Sequence, residues 1–258
     1  MRQATEGLRA RLRAPLNQRA DFSEVFAESW ISLSSALLAE RPVYLERDGR
    51  APLGDLFDIK GDPDAQVRLQ GDLESADRLG AGLSAGRIIV EGSVGAEAGL
   101  GMSGGALVIE GNAGPRAGAA PLGYKRGMSG GELIIRGAAG PEAGAAMRRG
   151  VLVIGRAAGE RTGLGMIAGS VIVFGSAGEN TGLWSKRGSV VALGQITPPA
   201  TYVYACTYHP VHLRLLFTRL SQEYGIRVPR RQLTGLYRRY SGDLSEVGKG
   251  EILQWTAN

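Results

Sequence analysis

At 258 residues the chain can bury one substantial core, and its net charge of +5, from 30 Lys and Arg against 25 Asp and Glu, is spread along the sequence. With few aromatics to accompany that modest charge, nucleic-acid binding is not expected. One cysteine, Cys206, excludes a disulfide scaffold, and neither a signal-peptide core at the first residues nor a run of about 18 apolar residues is present. A cytoplasmic protein without membrane contact is therefore expected.

Residues 1–60 are not repetitive. Leu8 to Leu12 alternates like an exposed strand, Asp21-Phe22-Ser23 opens a short helical stretch, and Ser34 to Glu40 forms another. Pro42 to Glu46 reads as a strand running into a turn at Arg47 to Arg50, and Leu53 to Ile59 then leads into Gly61. This region is expected to be a small α+β cap that closes the open end of a repeat array. Val67 to Gly71 reads as a degenerate first repeat.

Residues 61–197 repeat themselves. Glycines open successive lines at 86, 105, 131, 150, 169 and 188, every step being 19 residues except one of 26 that carries an insertion around Pro121 to Gly127. Each line holds a short β-branched or leucine run, such as Leu133-Ile134-Ile135, followed by glycines at three- to four-residue spacing. A circuit of about 19 residues is too short for a strand–helix–strand crossover, and a propeller blade needs about 40. The period predicts a mainly β protein built as a right-handed parallel β-helix, with strands stacked at roughly 4.8 Å.

Stacking turns equivalent positions into ladders. Charged neighbours mark the face of Arg87, Ile89 and Glu91 as outward, so Ile88/Val90, Leu107/Ile109, Leu133/Ile135, Leu152/Ile154, Val171/Val173 and Val190/Ala192 form the interior. Ile89, Val108, Ile134, Val153, Ile172 and Val191 then form an apolar stripe on the outside, which the chain's own termini or another subunit must cover. A charge at Ile135 is expected to prevent folding, and one at Ile134 to be tolerated. Met102, Met128, Met147 and Met166 share one rung and read as gap-filling core.

Residues 198–258 leave the pattern. Tyr202 to Ala205 can add a strand, and Pro210 to Tyr224 reads as an amphipathic helix stopped by Gly225. Pro229 to Tyr240 reads as a second, arginine-rich helix, and Arg239 to Trp255 as a docking tail.

Chemistry is sparse. His209, His212 and Cys206 offer no fourth ligand at conventional spacing, so no metal site is expected. The GxG strings at Gly99 and Gly163 recur with the period and precede no helix, so they are turns, not dinucleotide loops. No catalytic constellation can be placed. Glu97, Glu142, Glu160 and Glu179 read as a solvated edge. Arg148-Arg149 and Lys186-Arg187 stand two repeats apart, with Lys125-Arg126 on the insertion nearby. They form a candidate anion- or partner-facing ridge, or serve solubility.

The GxxGxxxGxxM lines resemble the GXGXG-type β-helix of the C-subunit family of formylmethanofuran dehydrogenase, a fold also found in the C-terminal domain of the glutamate synthase large subunit. Pro52 to Phe57 and Gly71 to Gly82 resemble that family's lead-in, and Lys125 to Gly131 its longer coil, so the resemblance covers roughly residues 45–195. It implies a non-catalytic scaffolding subunit, with no catalytic residue, cofactor or metal on this chain and metal on other subunits. The Arg/Ala-rich composition and Tyr237 to Asp243 favour the bacterial version, a formyltransferase/hydrolase complex. That complex transfers a formyl group between tetrahydromethanopterin and a methanofuran-type carrier and releases formate. Its amidohydrolase-like and formyltransferase subunits are then the expected partners. The alternatives are the C subunit of a molybdenum or tungsten formylmethanofuran dehydrogenase, and a glutamate synthase-type spacer of an amidotransferase. The family's carriers bear polyglutamate tails, which the basic ridge would suit.

Overall fold

The computed structural model describes residues 7–27, 30–62 and 65–256, so parts of the expected cap, at 1–6 and 28–29, and of the approach to the first repeat, at 63–64, lie outside the described residues. The described chain is mainly β: one 12-stranded, mostly parallel sheet and a second sheet of 4 strands.

The first segment contains β1 (Leu8–Leu12), β2 (Ala20–Asp21), α1 (Ser35–Ala39), β3 (Pro42–Leu45), β4 (Gly49–Pro52), α2 (Leu53–Leu56) and β5 (Phe57–Lys60). The alternation of β1 is as expected, but the strand is not exposed. It lies between β5 and β6 (Gln66–Gln70), with Leu8 and Ala10 fully buried. No helix opens at Asp21: its carboxylate accepts the Ser23 N–H at 2.9 Å, a turn that sends Phe22 edge-on against Phe57. α1 starts where Ser34 caps it, the hydroxyl accepting the Leu37 N–H at 3.3 Å.

The repeats supply β7 (Ala76–Asp77), β8 (Arg87–Glu91), β9 (Ser103–Ile109), β10 (Gly130–Ile135), β11 (Val151–Ile154), β12 (Ser170–Val173) and β13 (Arg187–Ala192). From β6 through β8 to β13 the pairing is parallel and equivalent residues stand side by side: Val67, Ile88, Leu107, Leu133, Leu152, Val171 and Val190 form one row. The insertion does not disturb it, because Leu107 still pairs Leu133 while Leu122 and Tyr124 loop out into solvent. A second parallel row runs Leu73, Val94, Ala113, Ala139, Ala158 and Ala177.

Glycine is needed here for close approach. A Cβ on Gly131, at φ +78°, would lie 2.4 Å from the Gly104 carbonyl oxygen, and one on Gly155 would lie 2.3 Å from that of Arg136. The methionine rung packs in the main core, all four side chains fully buried. Ser185 ends that rung, its hydroxyl reaching the Gly163 carbonyl at 3.3 Å.

The third segment holds β14 (Val203–Tyr208), α3 (Val211–Tyr224), α4 (Arg230–Leu233), β15 (Tyr237–Gly242) and β16 (Lys249–Trp255). α3 runs from Pro210 to a left-handed Gly225, as its sequence signals predict. The second helix is only the one turn of α4; Tyr237 onward is strand. The tail also supplies core strands. β16 pairs in parallel with β13, placing Ile252 beside Val190 and Leu253 beside Val191, both fully buried. β15 returns antiparallel along β16, and β14 along β15. A tail that continues the apolar rows of the sheet is buried for the same reason the repeats are.

Candidate functional surface

The outer stripe lies beneath the chain's own helix. Val108, Ile134, Val153, Ile172 and Val191 are at most 4% exposed and cluster with Leu213, Phe217, Leu220 and Tyr224 of α3, while Ile89 is half-buried at the margin. Polar latches fix the helix end. The Tyr224 hydroxyl donates to Glu132, which also pairs with Arg219, and the Arg136 guanidinium donates to the Tyr224 carbonyl at 2.5 Å. Arg87 stacks 5.2 Å from the centre of the Tyr224 ring. Ile134 is thus buried like Ile135, by a different partner, and the expected tolerance of a charge there does not hold.

The edge read as solvated carboxylates is an alternating ion ladder. Arg78, Glu97, Arg116, Glu142 and Arg161 occupy one rung of the repeat, each in a left-handed backbone at φ between 55° and 62°. Arg116 lies 3.0 Å from Glu97 and 3.2 Å from Glu142, Arg161 lies 3.4 Å from Glu142, and Arg78 lies 3.8 Å from Glu97 and 3.0 Å from Asp21. The alternation at repeat spacing is present in the sequence, but becomes visible only when the lines are read by rung. Glu160 joins through Arg161 at 2.9 Å, whereas Glu179 is exposed.

The basic residues of the ridge come together in part. Arg126, Arg148 and Arg149 line one surface cavity beside Tyr124 and Ser129. Arg148, Arg149, Lys186 and Arg187 line an adjoining one with Ile167 and Val247. Lys125 is exposed on the insertion. Lys186 approaches Glu246 at 3.9 Å, a loose contact that leaves the ridge positive.

His209 turns its Nδ1 to the Gly235 carbonyl at 2.9 Å, His212 is exposed on α3, and Cys206 is an exposed free thiol on β14. Among the described residues no three His, Cys, Asp or Glu side chains form a metal-sized group. No helix among them is long and apolar enough to cross a membrane.

Sequence reading missed one buried acid, Asp243. Burial alone would raise its carboxyl, but the Ser245 hydroxyl at 2.6 Å, the Ser245 N–H at 2.9 Å and the Trp184 N–H at 2.7 Å hold it below the usual range. Nearby Tyr202 is pushed up to about 12, chiefly by burial, and donates to the Gly182 carbonyl at 2.8 Å. Asp243 ties the last repeat to the β15–β16 hairpin, and Tyr202 ties it to the segment that enters β14.

These features define a class: a glycine-turned repeat protein of stacked parallel strands that presents charged and apolar surfaces. No protein-family model matches the chain. The C subunit of the formyltransferase/hydrolase complex Fhc of Methylorubrum extorquens is 36% identical over 85 residues, which is 33% of this chain and 32% of that relative, so the alignment spans about a third of it. A chain in the crystal structure of the formyltransferase/hydrolase complex FhcABCD from the same organism, in complex with methylofuran, superposes with a TM-score of 0.78 at 33% identity. That match covers 96% of this chain and 100% of the other. The chain belongs to the C-subunit family of the formyltransferase/hydrolase complex.

Proposed function

We propose that this chain is the non-catalytic scaffolding subunit of a complex that moves a formyl group between tetrahydromethanopterin and a methanofuran-type carrier and releases formate. The observation that carries this reading is the superposition over the full length of a chain from the methylofuran-bound complex. Both relatives come from a formyltransferase/hydrolase complex, which favours this version over a molybdenum or tungsten dehydrogenase or an amidotransferase spacer. The companions would be amidohydrolase-like and formyltransferase subunits in the cytoplasm, carrying the metal and the catalytic residues.

Within this reading the array is a right-handed parallel β-helix over residues 61–197, with 1–60 as its cap and 198–258 as its closing segment. Two parallel rows with a common period support it. The ridge of Lys125, Arg126, Arg148, Arg149, Lys186 and Arg187 is the anion-facing surface, suited to the carrier or to an acidic face of a companion. Its pairs stand roughly 10 Å apart, about one screening length, so their potentials overlap.

Co-expression with the companion subunits tests the function. The chain alone should show no formyl transfer, and the companions without it should fail to assemble into an active complex. An active, stable complex lacking the chain would overturn the reading. Replacing Arg148, Arg149, Lys186 and Arg187 by Gln should raise the KM for the carrier or loosen assembly mostly at low salt. Unchanged kinetics and assembly there would reduce the ridge to a solubility feature.

A further inference from the structure

One rung of the repeat carries a residue that the fold does not ask for. Gly82, Gly101, Ala146 and Gly165 occupy this rung in left-handed backbone, at φ 67°, 65°, 56° and 62°, the line with the insertion placing a buried Ala120 there instead, and the line after Gly165 places Trp184 there at φ 61°. A Cβ on Gly82 or Gly165 would meet nothing within 4 Å, so away from the insertion, where Pro121 comes within 3.4 Å of a Cβ on Gly101, this rung opens to solvent. Trp184 does so, at 54% exposure. A bulky residue in this conformation is an outlier, and here it gains little packing in return.

The backbone at Trp184 is nevertheless tied down. The Asp243 carboxylate accepts the Trp184 backbone N–H at 2.7 Å, and the Asp243 carbonyl shapes the loop beyond it by accepting the N–H groups of Glu246 at 3.1 Å and Gly248 at 3.0 Å. That loop exposes two further apolar side chains, Leu244 at 59% and Val247 at 55%. Val247 borders the cavity lined by Arg149, Lys186 and Arg187. The result is an exposed apolar patch on a hydrogen-bonded backbone with a basic margin, anchored on the kind of residue that dominates protein interfaces.

We propose that Trp184, Leu244 and Val247 form a docking site for another protein subunit, whose surface offers an apolar socket rimmed by carboxylates. The socket takes the indole, and the carboxylates face Arg149, Lys186 and Arg187. A fixed backbone and a built-in Glu246 fit a shaped protein socket better than an anionic lipid surface. This inference rests on the scaffolding reading above and names the surface through which assembly occurs.

Purified companion subunits are titrated with the full chain carrying Trp184→Gly, the residue that the rung normally holds, and separately with Leu244→Ser/Val247→Ser. Both variants should melt close to the wild-type temperature, because all three side chains are more than half exposed. Trp184→Gly should raise the Kd for the companions by about thirtyfold, as loss of an interface anchor does. In the wild-type complex Trp184 should be protected from N-bromosuccinimide, which oxidises it in the free chain. If wild type assembles but Trp184 stays reactive and both variants bind equally well, the docking site is wrong and the scaffolding reading stands. If wild type binds none of the companions, both fall. Trp184-dependent binding to vesicles containing phosphatidylserine, without binding to companions, would replace the protein socket by a lipid surface and overturn the proposal.

Discussion

Strands β9 to β13 bury both faces of their apolar runs, by unlike means. On one face Leu107, Leu133, Leu152, Val171 and Val190 pack in the core that the repeats build together, each line meeting its own copy. On the other, Val108, Ile134, Val153, Ile172 and Val191 cluster with α3 and with Ile226 and Tyr237 after it, all supplied from beyond the array. The first face is secured many times over by the same local pattern. The second depends on α3, its Phe217 and Leu220, and the latch of Tyr224 on Glu132. Adjacent residues in one strand, Ile134 and Ile135, therefore belong to two different stabilising systems.

Substitutions at those two neighbours separate the systems, with the largest effect inside. Ile135→Asp buries a carboxylate with no partner and should leave no soluble folded chain, checked by circular dichroism and size exclusion. Ile134→Asp should instead expel α3, leaving the β signal largely intact while residues 198–235 become sensitive to limited proteolysis. Phe217→Ala removes the centre of the cover and should cost about 3–4 kcal/mol in chemical denaturation, with the same local opening. A uniform, fully cooperative loss in all three variants would show that the two faces are one system.

How much of this was legible in the sequence divides along the same line. The repeat rows were readable because each is specified within a few residues by glycine turns and β-branched runs, and α3 because Pro210 and Gly225 punctuate it. The occupant of the outer face was not, since the pairing of Phe217 with the stripe spans long sequence separations that no local period records. Pro229 to Tyr240 misled because helix-forming arginines masked the alternation of Tyr237, Arg239 and Ser241, which becomes strand only by pairing with β16. The ladder of Arg78, Glu97, Arg116, Glu142 and Arg161 was present in letters but crosses lines rather than running along them.

Smaller effects sharpen the contrast at the margins of the two faces. Asp243 carries a lowered pKa, so its contribution is full above the unfolded carboxylate value, about 4, and is lost as pH falls through the folded value. Asp243→Asn should cost about 1–3 kcal/mol at neutral pH and flatten the decline in stability below about pH 4, measured by denaturation across pH. Arg116→Gln interrupts the ion ladder between Glu97 and Glu142 and should cost only about 1 kcal/mol, less at high salt because the pairs are partly exposed. A salt-independent loss would assign Arg116 to packing instead.

The decisive measurement is hydrogen–deuterium exchange on the isolated chain. If α3 is the native cover of the outer stripe, the amides of Leu216 to Tyr224 should be protected without any other subunit, and Ile134→Asp should strip that protection while β10 to β12 keep theirs. Rapid exchange throughout α3 in the free wild-type chain, slowing only when companion subunits are added, would contradict the account and hand the outer face to a partner.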